Sequence, residues 1–323
     1  MDNKKLQVIQ DKINLGKNRL QQRLEYNKIS TAINSYYVTE ELPTELSELT
    51  VSMDEIIDIL SRFIKTCFTD EDTKDKLLTL LRDPDFICTE PFDNNNTGGT
   101  CGVENKDGKW KLKHRAYLGK RTKNGLIKTN VLKIRGILHE LAHAGSQKFD
   151  TEWMNQSNEQ PHLREKDQSL GEIESKFMEQ LFGQFMYTNM IPSIPEGHTV
   201  WGLSASQLKR EFLNLAHQDI IDLDHRLNHP PKTNTDYKST EEHRYIIGGV
   251  TAKMMIEMYK SDKEATMNIF QSYLKRNAEM TLDEAVKHLT DGNCKTYPEV
   301  IKSYCKHFDR MVLAQAGIIV FER

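Results

Sequence analysis

The sequence predicts a mainly α protein carrying one small antiparallel β-sheet, and three observations carry that expectation. From Asn130 onward, apolar residues recur at helical spacing through almost every segment. Just before that point the period changes: Lys109 to Arg115 alternates strictly, and a turn at Asn124-Gly125 leads into Leu126-Ile127, the expected partner strand. The chain of 323 residues is 37% hydrophobic and 28% charged, enough apolar material for a substantial core under a charged surface.

The elements follow in order. Residues 4–37 place Leu6, Ile9, Ile13, Leu20, Leu24 and Ile29 at helical spacing, which predicts one or two amphipathic helices interrupted near Gly16. Glu40 to Thr50 reads as a linker around Pro43. Ser52-Met53-Asp54-Glu55 is a capping box, so a helix begins there and buries Ile56, Ile59, Leu60 and Phe63. A second short helix runs through Leu77, Leu78, Leu80 and Leu81 and ends at Asp83-Pro84. Residues 92–108 are turn-rich, and Gly98-Gly99-Thr100-Cys101-Gly102 reads as a flexible loop. Helices are expected over 131–147, 166–189, 206–227, 239–260, 264–277, 282–290 and 298–315, separated by Gly and Pro clusters. The expected organisation is an N-terminal helical region, 1–90, and a catalytic part, 91–323, folded as one compact unit.

Bulk properties narrow the function classes. A formal net charge of -3 argues against a globally basic nucleic-acid binder. Met1-Asp2-Asn3-Lys4-Lys5 is followed by no apolar signal region, and no run approaches the roughly 18–20 apolar residues of a membrane span. The expectation is a cytoplasmic protein, or one exported without a conventional signal peptide. Cys67, Cys88, Cys101, Cys294 and Cys305 form no Cys-x-x-Cys pair, so neither a disulfide framework nor a cysteine metal site is expected.

The chemistry centres on His139-Glu140-Leu141-Ala142-His143. On a helix, His139 and His143 point the same way one turn apart, so both imidazoles can bind one zinc ion. Glu140 lies beside them, where a carboxylate can hold and deprotonate a water. Asn130 is a suitable N-cap, and Val131, Leu132, Ile134, Ile137, Leu138 and Leu141 make the other faces apolar. A catalytic zinc needs a third protein ligand. Glu165, Glu172, Glu174 and Glu179 follow on or near the next helix. Glu172 and Glu179, seven apart, share a face, whereas Glu174 points elsewhere. Spacing leaves the choice between Glu172 and Glu179 open.

The segment Leu170-Gly171-Glu172-Ile173-Glu174-Ser175-Lys176-Phe177-Met178-Glu179 resembles the third-ligand segment of the thimet oligopeptidase and oligoendopeptidase F family of zinc peptidases. Arg210-Glu211-Phe212, Asp222 to Leu227, Tyr245-Ile246-Ile247-Gly248 and Asp291 to Pro298 resemble further family segments in the family's order, over roughly residues 124–316. The resemblance implies a zincin-like (gluzincin) helical catalytic domain with one Zn2+ on His139, His143 and Glu172. It implies Glu140 as general base and Tyr245 as the hydroxyl that meets the developing oxyanion. The Gly98–Gly102 stretch resembles the family's glycine-rich loop near the site. The sequence departs from the family at Ala142, where Gly is usual. The family's substrate-facing histidine has no match, Thr233 and Thr235 standing in its region. His243, with Tyr237 or His229 as alternatives, is the candidate replacement. Only about 100 residues precede the sheet, which implies a reduced N-terminal cover over the cleft.

Residues 105–135 carry eleven Lys or Arg and one acidic residue, Asp107. They read as a solvated basic surface or as a rim that attracts an acidic peptide or protein substrate. Strand 109–115 reads as an open edge to which a peptide could add. The expected function is a zinc-dependent endopeptidase. The rival readings are an effector-type protease acting on a folded protein, a non-catalytic binding module on the same scaffold, and a nucleic-acid binder using the basic segment.

Overall fold

A computed structural model describes residues 46–90, 99–157, 169–228, 236–275, 280–296, 299, 300 and 303. The helices expected over 4–37, and nearly all of that expected over 298–315, lie outside the described residues. The first described element is strand β1, Leu49–Val51, in what the sequence suggested was linker. Helix α1, Met53–Cys67, follows, and Ser52 and Glu55 close both halves of its capping box. Helix α2, Glu71–Leu81, is capped by Asp70, whose carboxylate accepts from the Thr73 amide.

Among the described residues, six strands form two three-stranded sheets. The strands after β1 are β2 (Ile87–Cys88), β3 (Gly99–Lys106), β4 (Lys109–Tyr117), β5 (Lys120–Arg121) and β6 (Ile127–Thr129). One sheet has the order β1-β6-β5, the other β2-β4-β3. Three expectations change here. The partner of β4 is β3, antiparallel, with Val103 opposite Leu112; Ile127 pairs with Val51 and Arg121 instead. The connecting turn is Asp107-Gly108, with φ 56° and 75°, the left-handed pair that a two-residue hairpin requires. And β4 is the central strand, so among the described residues the edges of this sheet are β2 and β3. Gly99 onward is therefore strand and not loop.

Helix α3, Val131–Ser157, packs beneath the hairpin. Asn130 caps it by accepting from the Lys133 amide at 3.0 Å. It runs ten residues past the expected end, and Asn155 explains why: its side chain accepts from the Trp110 amide and donates to the Trp110 carbonyl, 2.8 and 2.9 Å. The helix end is thereby stitched to β4. Helix α4, Ser169–Phe185, runs on through a π-helical turn, Met186–Met190, and a 3-10 turn, Ile191–Ser193. Helices α5 (Ala205–Asn228), α6 (Asp236–Ser261), α7 (Lys263–Leu274) and α8 (Leu282–Leu289) complete the described chain.

A continuous apolar cluster runs from Leu49 to Leu289. Phe63 of α1 lies at its centre, with ring centroids 5.4 Å from Phe182 and 5.6 Å from Phe185. Polar ties fix the early elements onto the later ones. Glu211 of α5 accepts from the Ser47 hydroxyl at 2.6 Å. Gln271 of α7 accepts from the Thr69 and Asp70 amides at 2.9 Å each. No helix among the described residues is long and apolar enough to cross a membrane.

Candidate metal centre

Helix α3 presents His139 and His143 on one face, as their spacing requires, and α4 crosses opposite with Glu172 near its first turn. One donor atom from each of the three lies within 4.8 Å of the others. The His139 and His143 Nε2 atoms are 3.2 Å apart, and His139 Nε2 stands 3.6 Å from Glu172 Oε2. Tetrahedral donors about 2.0–2.1 Å from a zinc ion stand about 3.3–3.4 Å apart, so these separations match that donor set.

The far side of His139 strengthens the fit. Its Nδ1 is 2.6 Å from Glu179 Oε1. A carboxylate accepts only, so Nδ1–H donates to Glu179, which turns Nε2, the nitrogen free to bind a metal in the neutral ring, towards His143 and Glu172. Glu179, which competed with Glu172 as third ligand on spacing, thus meets the other nitrogen of the same histidine. Glu174 also points to the site: its Oε1 lies 3.6 Å from His143 Nδ1, at a position only 1% exposed. The expectation that Glu174 points elsewhere is corrected. Helix α4 brings one carboxylate to the donor cluster and two to the outer nitrogens of the histidines.

Glu140 is pinned from two sides. His114, a buried inward-facing residue of β4, places Nε2 3.3 Å from Glu140 Oε2. A Cβ on Gly99 of β3 would overlap the Glu140 carboxylate carbon, so only glycine lets the strand run this close. Sequence alternation marked His114 as one of the β4 residues, but nothing in the sequence linked it to Glu140.

The charges are mutually adjusted. Burial pushes the Glu140 carboxyl up, but His114, His139 and His143 hold it below its ordinary value. Burial pushes the His143 imidazole down, and Glu174, Glu172 and Glu140 more than reverse this. Burial keeps His114 below the ordinary histidine value despite Glu140. Glu179 is held well below the usual carboxylate range: burial opposes this, and Lys176, Arg135 and His139 overcome it.

Tyr245 lies on α6 at a half-buried position, its ring 5.9 Å from Lys176 Nζ and 5.7 Å from the Arg244 guanidinium carbon. Gly248, one turn later, explains the close crossing of α6 over α4. A Cβ there would lie 2.5 Å from the Glu172 carbonyl oxygen. The side chains of His243 and Tyr237, and the whole of His229, Thr233 and Thr235, lie outside the described residues.

No protein-family model matches the sequence, and no curated protein matches it. Among solved structures, the crystal structure of a "putative oligoendopeptidase F" from Bacillus anthracis str. Ames is similar, with a TM-score of 0.60 at 12% identity over 93% of this chain. The chain spans 56% of the length of that protein. The likeness is one of fold: this chain has the mainly helical, small-sheet architecture of an oligoendopeptidase.

Proposed function

We propose that this protein is a zinc-dependent endopeptidase of the thimet oligopeptidase and oligoendopeptidase F type. The convergence of His139, His143 and Glu172 within 4.8 Å, with Glu140 fixed beside them, carries the reading. These three residues would hold one Zn2+. When bound, zinc supplies a Lewis acid that polarises the scissile carbonyl and acidifies a water. Glu140 holds that water, takes its proton during attack and passes the proton to the leaving amine.

Tyr245 is the proposed donor to the carbonyl oxygen as negative charge develops there, with His243 as a second candidate. The substrate is a peptide or protein segment whose backbone pairs with the edge of β3, unpaired among the described residues, on the strand that abuts Glu140. The cationic outer face of β4 beside it favours an acidic segment.

Metal analysis and one substitution test the core of this reading. The purified chain should carry about one zinc, the stoichiometry of a single three-ligand site. Glu140→Gln should keep that zinc and lose nearly all hydrolysis of a mixed quenched-peptide library. Full zinc retention in a His139→Ala, His143→Ala double variant would overturn the site.

A further inference from the structure

We propose that Arg135 and Asp219 are positioning residues for His139, acting through Glu179, so that helix α5 is coupled to a metal centre to which it contributes no ligand. This rests on the reading of His139, His143 and Glu172 as the zinc ligands.

The chain of contacts is short and buried. Glu179 is 5% exposed. Its Oε1 meets His139 Nδ1 at 2.6 Å and accepts from Lys176 Nζ at 2.9 Å. Its Oε2 stands 3.2 Å from Arg135 Nε. Arg135 lies one turn before His139 on α3, so both side chains approach Glu179 from the same helix. The two terminal nitrogens of Arg135 donate to the two oxygens of Asp219 on α5, at 2.6 and 2.8 Å.

The division of labour follows from donor geometry. A guanidinium has five N–H groups fixed in one plane, and its fork matches a carboxylate. Asp219 takes the fork and so fixes the plane of Arg135. The Nε side of the guanidinium then stands 3.2 Å from Glu179 Oε2, an ion-pair contact and not an aligned hydrogen bond. Lys176 is a rotatable point charge and supplies attraction without direction. With Arg135 fixed, its positive charge holds Oε2 while Oε1 meets His139 and Lys176, and the His139 ring is held with Nε2 towards the other ligands. The counterpart at His143 is looser: its outer nitrogen is 3.6 Å from Glu174, against 2.6 Å between His139 and Glu179. His139 is thus the firmly held arm of the site. Stability alone does not account for the cluster, since buried ion pairs roughly break even against apolar packing.

Zinc affinity, measured on the full chain by competition with a chromophoric chelator, tests the proposal without any substrate. Glu179→Gln keeps the side-chain shape and should weaken zinc binding about 10- to 100-fold, as loss of a ligand-orienting partner does elsewhere. Asp219→Asn, two contacts further out, should weaken it about 3- to 10-fold, at the lower edge of that range. The double variant should bind no more weakly than Glu179→Gln alone, because Asp219 acts through Glu179. Zinc-free melting curves record the stability cost separately.

A purely structural role predicts a lower zinc-free melting temperature with wild-type zinc affinity in Asp219→Asn, and that result overturns the proposal. So does a fully additive loss in the double variant. If Asp219→Asn does not fold, Arg135→Lys, which keeps the charge and loses the fork, should show the same weakening, and wild-type affinity there is equally decisive. Absence of zinc binding in the wild type is a different failure: it removes the metal reading itself.

Discussion

At the scale of single residues, Gly99 makes the most exposed claim. A methyl group there would overlap the Glu140 carboxylate, so Gly99→Ala must displace either the strand or the base. The three proposed zinc donors sit on helices α3 and α4, and none is on β3. The expected outcome is a chain with wild-type zinc content whose kcat falls steeply, by about 10²-fold if the base shifts by an ångström. Wild-type kcat in that variant would show that Glu140 does not act from this position. Residue-scale legibility was uneven for a physical reason. The convergence of His139 and His143 on one helix face could be read because it depends on helical spacing, which is a local property. Glu174, Glu179 and His114 could not, because their roles depend on which ring nitrogen or carboxylate oxygen faces them across an interhelical or helix–sheet contact.

At the scale of elements, β4 joins the fold to its surroundings. Trp110, Leu112, His114 and Ala116 alternate towards α3, while Lys109, Lys111, Lys113 and Arg115 line the outer face. The one opposing charge on the neighbouring strand is weakly placed, with Glu104 3.8 Å from Lys113. Hydrolysis of an acidic peptide should therefore slow as salt rises across the range where the screening length shrinks from about 30 to about 8 Å. A Lys111→Ala, Lys113→Ala variant should flatten that dependence while a neutral peptide is cut at the wild-type rate. A salt response identical in wild type and variant would assign the stripe to solvation alone. The helices were legible from period and caps, including the Ser52 and Asn130 starts. The sheet partners were not. The Asp107-Gly108 hairpin signal lay in the sequence beside the stronger-looking Asn124-Gly125, and β1 is three residues long, too short for alternation to register.

At the scale of the whole molecule, the site depends on packing that begins far from it in sequence. Phe63 of α1 is fully buried against Phe182 and Phe185, at the end of the helix that carries Glu172. Phe63→Ala should cost about 3–5 kcal/mol, the usual range for emptying an aromatic site in a core. Because one apolar cluster links Leu49 to Leu289, a single unfolding transition should move as a whole to lower denaturant. Two separated transitions, with only one shifted, would mean that α1 and α4 belong to different cooperative units. Apolar periodicity marked Phe63 as core, but its partners, over a hundred residues away, were beyond the reach of any local pattern.

The placement of the donors on two neighbouring helices has one further consequence, for the breathing of the native state. With His143 on α3 and Glu172 on α4, a bound ion would act as a removable cross-link closing a loop of about thirty residues. Local openings that part α3 from α4 would first have to release the ion, so their frequency should fall with the ratio of free zinc to its dissociation constant. Amide hydrogens along the facing stretches of these two helices should then exchange more slowly with zinc than after chelation. Those of α8, which carries no donor, should change little. Equal slowing everywhere would place the ion's effect on global unfolding, and no slowing in α3 and α4 would mean that it does not bridge them.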